Sequence, residues 1–177
     1  MKTNIYTTKK LEKFVKKLVR NDGEPEGKSH TLLGDWNAAL FYVDRKKCLL
    51  FTNKKTKYNV ILSNVKASDL SSISEMFKNA FYSQLIYDGI ISTYDHIKSL
   101  TGDLVFRPTD NDRSTLGFQN HSLANWDWWR DKYVTLEKMP MRELTGRINN
   151  VPIKLIKSYK MDDYTYASIE MKKLIQE

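Results

Sequence analysis

Three aromatic and aliphatic runs, Trp36 to Val43, Cys48 to Thr52 and Tyr58 to Leu62, are separated only by short polar turns. The turns are Asp44-Arg45-Lys46-Lys47 and Asn53-Lys54-Lys55-Thr56-Lys57. Connections this short make each strand fold back on the one before it, so the runs predict a three-stranded antiparallel meander with basic turns. The largest apolar residues crowd into it, which places it at the centre of a sheet.

The flanking segments read as helices and short strands. Asn4-Ile5-Tyr6 is a short strand. Thr7 or Thr8 then caps a helix running to about Arg20, with Leu11, Phe14, Val15, Leu18 and Val19 on one face. Asn21 to His30 contains Gly23, Pro25 and Gly27 and reads as a loop. A helix from Ser68 or Asp69 to about Tyr87 carries Leu70, Ile73, Phe77, Ala80, Phe81 and Leu85 on one side. A helical piece from Ile91 to Leu100 ends at Thr101-Gly102, and Leu104-Val105-Phe106 makes a strand before Pro108. Thr109 to Asn125 is polar and matches neither period, Trp126 to Leu136 is helical, and Asn149-Asn150 forms a turn between Arg147-Ile148 and the segment Pro152 to Ile156. Asp163 to Ile175 has helical periodicity. The expectation is a single α+β domain over residues 1–177, with a central antiparallel sheet packed against several helices.

A chain of 177 residues buries roughly 70% of its unfolded surface, enough to fold without a metal or disulfide. No apolar stretch approaches the ~18 residues of a membrane span, and the lysine-rich N-terminus lacks a signal peptide's apolar centre. Cys48 is the single cysteine and allows no internal disulfide. These features fit a cytoplasmic protein with no membrane partner.

The 29 basic and 21 acidic residues leave a net charge of +8. Residues 1–20 hold seven basic groups and one acid, and residues 44–66 hold seven against Asp44 alone. If both segments share a face, the field attracts phosphate. The candidate nucleic-acid-binding residues are therefore Lys9, Lys13, Lys16, Lys17, Arg45, Lys46, Lys47, Lys54, Lys55 and Lys57. Solvated lysine-rich surfaces carry the same composition without binding a polyanion.

Signatures of catalysis are sparse. His30, His96 and His121 have no second His or Cys one helical turn away, and no phosphate loop, dinucleotide fingerprint or nucleophile elbow occurs. No metal and no cofactor are expected. Cys48, inside an apolar strand, reads as a core residue rather than a nucleophile. Asp110 with Asp112 and Asp162 with Asp163 suit turns and caps as well as acid–base work.

The polar stretch from Thr109 to Ser122 is the exception. Arg113 offers a planar fork for phosphate or carboxylate, and Ser114, Thr115 and Asn120 complete a candidate anion pocket. His121 can exchange a proton near neutral pH, so Arg113 and His121 are the candidate catalytic pair. The same residues also fit a hydrogen-bonded loop with Arg113 paired to Asp110 or Asp112. Trp126, Trp128 and Trp129 cannot all face one way on a helix. They are candidates for a partner or dimer contact, for core packing, or for stacking on bases at about 1–3 kcal/mol each.

Several segments taken together resemble a small bacterial family of unknown function. They are Thr8-Lys9-Lys10-Leu11, Leu33-Gly34-Asp35-Trp36, Arg45 with Leu49-Leu50-Phe51, and Ile148-Asn149-Asn150-Val151-Pro152. The stretch Asp112 to Asn120 matches the family's Asn-Arg-Ser-x-Leu-Gly-x-x-Asn signature, except that Asp112 stands where Asn is usual. The resemblance implies kinship and no activity.

Three functions compete. The first is nucleic-acid association through the lysine-rich face. The second is a metal-independent ribonuclease or toxin-like enzyme using Arg113 and His121. The third is a protein–protein module using the tryptophans, with a protein partner or a homodimer.

Overall fold

The computed structural model describes residues 1–20, 31–133, 135–155 and 163–176. The loop expected from Asn21 to His30 lies outside them, as do Ile156 and Asp162.

The meander forms with the expected strands. β1 (Lys2–Thr7) leads into α1 (Lys9–Phe14), followed by β2 (Trp36–Val43), β3 (Lys46–Asn53) and β4 (Asn59–Leu62). Asp44 and Arg45, both at positive φ, make the two-residue turn that a twisted hairpin favours. A 3-10 turn (Ala67–Ser72) opens α2 (Ile73–Tyr87), then come α3 (Tyr94–Thr101) and β5 (Asp103–Arg107). The chain continues through α4 (Arg113–Tyr133), α5 (Met141–Asn149), β6 (Pro152–Lys154), β7 (Tyr164–Tyr166) and α6 (Ala167–Gln176).

The sheet order is β4-β3-β2-β1-β5. Only β2, β3 and β4 are antiparallel; β1 runs parallel to both β2 and β5. The fold is α+β, and its central sheet is mixed rather than wholly antiparallel.

One face of the sheet presents Ile5, Trp36, Leu49, Phe51 and Val60 to Leu11 of α1 and to Phe77 and Phe81 of α2. Trp36 meets Phe77 and Phe81 edge-on, with ring centroids 5.2 and 5.3 Å apart. The other face presents Phe41, Val43, Cys48 and Leu50 to Trp126 and Trp129 of α4 and to Leu144 and Ile148 of α5.

Four expectations about the helices and their flanks need correction. The first helix stops at Phe14, and Val19 instead bridges to Phe106 beside the sheet. The polar stretch after Thr109 is not a loop: α4 begins at Arg113, thirteen residues before the helix expected from Trp126. Its buried stripe is Thr115, Gln119, Ser122, Trp126 and Trp129. That spacing is regular, but the first half is polar, so hydrophobic periodicity misses it. α5 absorbs Arg147-Ile148, and Asp163 to Ile175 contributes β7 before α6.

A polar clamp ties the meander to α2 and α5. Asn149 Oδ1 accepts from Asn59 N at 2.8 Å, while its Nδ2 donates to Asp88 Oδ2 at 3.1 Å. Tyr58 Oη donates to Asp88 Oδ2 at 2.5 Å, and Gln84 Nε2 to Oδ1 at 3.1 Å. Burial raises the Asp88 carboxyl above its ordinary value, against the opposing pull of these three donors. A raised carboxyl destabilises the fold above its folded pKa, a penalty relieved as pH falls toward the unfolded value. Tyr58→Phe removes one donor to this charge and is expected to cost about 1.5–3 kcal/mol near pH 7. The loss should shrink as Asp88 takes up a proton. Urea unfolding at about pH 7 and about pH 5 checks both statements.

Candidate nucleic-acid interface

β1 and β5 are parallel neighbours, and their carboxyl ends lie together at Thr7 and Arg107. The chain leaves β1 into α1 on one face of the sheet and leaves β5 toward α4 on the other. A crevice outside carboxyl ends that diverge in this way is the usual ligand site of a parallel sheet. Here an open groove of about 460 Å³ occupies that place, lined by Lys9, Glu12, Lys13, Lys16 and Thr109.

The sequence explains the lining. Thr8 caps α1, its side chain accepting from Leu11 N, and Leu11 is buried against the sheet. Lys9 and Lys13, one turn apart, stay exposed, as does Lys16 in the turn beyond. Glu12 is the one acid among them.

On the α4 side of the crevice Lys54 and Lys57 are held within the fold. Lys54 forms ion pairs with Asp110 and Asp112 and sits 4.8 Å from the centre of the Tyr6 ring. Burial works against the Lys54 charge, but the Asp110 and Asp112 carboxylates more than offset it and its pKa is raised. Burial likewise raises the Tyr6 phenol, helped by Asp35, whose Oδ1 accepts from Asn4 Nδ2 at 3.2 Å. Lys57 is only 9% exposed. Its Nζ donates to Thr115 Oγ1 at 2.7 Å and to the Lys54 carbonyl at 3.1 Å, and burial lowers its pKa.

The ten basic candidates thus divide by place. Lys9, Lys13 and Lys16 converge on the groove. Lys17 lines a neighbouring groove with Arg20, Ser71 and Phe106. Arg45 is exposed at the hairpin tip, Lys46 pairs with Glu137 and Asp44, and Lys47 lies over the Phe14 ring of α1 at 5.3 Å. Lys55 is exposed, its Nζ donating to Leu32 O at 2.8 Å. The basic hairpin therefore lies beside basic α1, while the buried Lys57 does not face the surface.

The Arg113 stretch is a helix start. Asp112 Oδ1 accepts from Ser114 N and Thr115 N at 3.1 and 3.2 Å, and Oδ2 from Thr115 Oγ1 at 2.7 Å. The amides offered to an anion are thus occupied by this carboxylate, and Thr115 is buried. Arg113, Ser114 and Asn120 are exposed. Arg113 and His121 lie eight residues apart on α4, about 12 Å along its axis, so the helix does not bring them together. Burial raises Asp112, but the Thr115 bonds and the Lys54 and Lys57 charges outweigh it and hold its carboxyl below the ordinary value. The stability it contributes is present above the unfolded carboxylate pKa and lost as pH falls through the depressed one. Asp112→Asn keeps a capping oxygen and removes that titration. Its unfolding midpoint in urea should fall less between about pH 7 and about pH 3 than that of the parent chain.

Trp126 and Trp129 are core residues, 2% and 7% exposed, with rings 5.5 Å apart, whereas Trp128 is 67% exposed. The first two pack against the sheet, and of the three only Trp128 is open to solvent. His30 lies outside the described residues. Among the described residues no group of three or more His, Cys, Asp or Glu side chains is placed to hold a metal, and no helix is long and apolar enough to cross a membrane. Cys48 is buried, and burial pushes its thiol up.

Sequence reasoning missed Asn37, Gln119 and Asn59, buried polar residues between the sheet and α4 or α5. Gln119 Nε2 donates to Asn37 O at 3.0 Å. Asparagines inside otherwise apolar strands were the available signal.

This is a mixed-sheet α+β domain with a lysine-lined crevice at the carboxyl ends of its parallel strands. The chain belongs to the family described as Domain of unknown function (DUF6933), which matches it over residues 4–170. No curated protein and no solved structure matches it.

Proposed function

We propose that the chain binds nucleic acid, with the sugar–phosphate backbone held in the groove of Lys9, Lys13 and Lys16. The supporting observation is the convergence of these three exposed lysines on one open groove at the carboxyl ends of β1 and β5. Lysine is a point charge suited to a phosphate in any sequence context. The hairpin beside α1 extends the basic surface with Arg45 and Lys47. The buried or paired lysines, Lys57, Lys54 and Lys46, serve the fold.

Fluorescence anisotropy with labelled single-stranded RNA and duplex DNA tests the reading. Three phosphate contacts give a slope of log affinity against log salt near −2 for a single strand and near −2.7 for a duplex. Affinity should then fall about 20- to 40-fold between about 50 and 200 mM salt. Absence of binding at the lower salt contradicts the proposal. Gel analysis of the same samples reports whether RNA is cut, with Arg113→Ala and His121→Ala as the variants that an enzyme would not survive. The exposed Trp128 supports a protein contact as the second reading; that contact would survive high salt and be lost in Trp128→Ala.

A further inference from the structure

β2 outruns β1. The two strands pair only from Trp36 to Ala38, after which β1 turns into α1 while β2 continues to Val43. Ala38 O accepts from Thr8 N at 3.0 Å, so the even-numbered residues of β2 aim their main-chain groups at the β1 side. The antiparallel register with β3 runs on to Val43 on the opposite edge. The N–H and C=O groups of Leu40 and Tyr42 therefore face the side that β1 vacates, where no strand of described residues pairs with them. Unpaired main-chain groups along a strand edge are a template for another strand.

The edge is a slot rather than an open flank. A groove of about 370 Å³ runs along it, walled by Lys10 of α1 and by Leu123, Trp126 and Asp127 of α4, with Leu40 to Val43 as its floor. Tyr42 is 41% exposed, with Lys10 Nζ 4.6 Å above its ring. The Trp126 indole Nε1, although buried, has no hydrogen-bond partner. A buried donor without an acceptor is costly unless a ligand or water supplies one.

We propose that this slot receives an extended peptide segment of a partner protein, added to the sheet as a strand beside Leu40 and Tyr42 with a carboxylate facing Lys10. Main-chain pairing calls for an extended, proline-free segment. Lys10 on the α1 wall calls for a carboxylate on that side of the segment, while Asp127 on the α4 wall disfavours a second one opposite. A second copy of this chain fits poorly, because pairing edge to edge would press two lysine-rich α1 helices together. The surface is distinct from the Lys9–Lys13–Lys16 groove, so it stands or falls apart from nucleic-acid binding.

The test is a displayed library of random ten-residue peptides, panned against the immobilised full chain. The counter-selection uses Tyr42→Pro, which removes an outward N–H without touching the β3 ladder. Peptides retained should be free of Pro and carry at least one Asp or Glu. A synthetic copy of one should slow hydrogen exchange at the Leu40 and Tyr42 amides by at least about tenfold while leaving β4 and β5 unchanged. Because Tyr42→Pro can disturb folding, Lys10→Glu is the second variant. It should weaken a retained peptide at least about tenfold, by replacing the attraction to its carboxylate with a like-charge repulsion. No enrichment over Tyr42→Pro, protection at other strands, or indifference to Lys10→Glu overturns the proposal. So does a concentration-dependent dimer that protects Leu40 and Tyr42 without peptide.

Discussion

Replacing Lys9, Lys13 and Lys16 together by Glu is expected to weaken RNA and DNA binding at least about 100-fold at about 50 mM salt. It should also remove most of the salt dependence. Each lysine that neutralises a phosphate releases a counterion, and each glutamate in its place repels the phosphate instead. The three side chains are exposed, and changes at such positions usually alter stability by no more than about 0.5 kcal/mol each. The variant should therefore fold and unfold in urea much like the parent. A control with the same change of charge, Lys98→Glu, Lys172→Glu and Lys173→Glu, alters exposed residues on α3 and α6. It should keep most of the affinity. Anisotropy titrations of the three proteins make the comparison; equal losses in both variants would mean that net charge alone carries the binding.

The largest effect on stability is expected at Trp36. The side chain is fully buried and sits edge-on between Phe77 and Phe81, joining the meander to α2. Trp36→Ala removes that contact, leaves a cavity against two aromatic rings, and should cost about 3–5 kcal/mol. That is a large fraction of the 5–15 kcal/mol that holds a typical domain together. Trp36→Phe separates packing from polarity, because the buried Trp36 Nε1 has no hydrogen-bond partner. Phenylalanine keeps an aromatic ring and removes the unpaired donor, so it should cost much less than alanine. Urea unfolding curves of the two variants measure the difference. A Trp36→Ala loss below about 1 kcal/mol would contradict the packing described.

The meander was legible because its signal is local: alternating apolar residues and turns too short for anything but hairpins. β1, β5 and α2 were legible for the same reason. The parallel pairing of β1 with β2 and β5 was not, because the residues that pair lie far apart in sequence and no turn fixes their direction. α4 was half visible. Its buried stripe begins with Thr115, Gln119 and Ser122 and only then becomes Trp126 and Trp129. Thr115 bonds Lys57 and Asp112, and Gln119 bonds the Asn37 and Leu50 carbonyls, where apolar contacts would otherwise stand; hydropathy does not register that substitution.

The candidate site was legible as charge and illegible as shape. Counting lysines located α1 and the hairpin. It could not say that Lys54 is held by Asp110 and Asp112, or that Lys57 is buried against Thr115. The Arg113 stretch drew attention for its polarity, and that polarity turns out to serve a helix cap and a buried polar seam. Only Arg113, Ser114 and Asn120 of the proposed anion pocket reach solvent.

The most direct test of the central claim is to follow the backbone amides of the labelled chain by NMR while single-stranded RNA, and separately duplex DNA, is added at about 50 mM salt, where phosphate contacts are strong. The groove account expects the largest shift changes from Lys9 to Lys16 and at Thr109, with smaller ones at Arg45 to Lys47. No change at that salt, or changes confined to other surfaces such as the exposed Trp128, would contradict it.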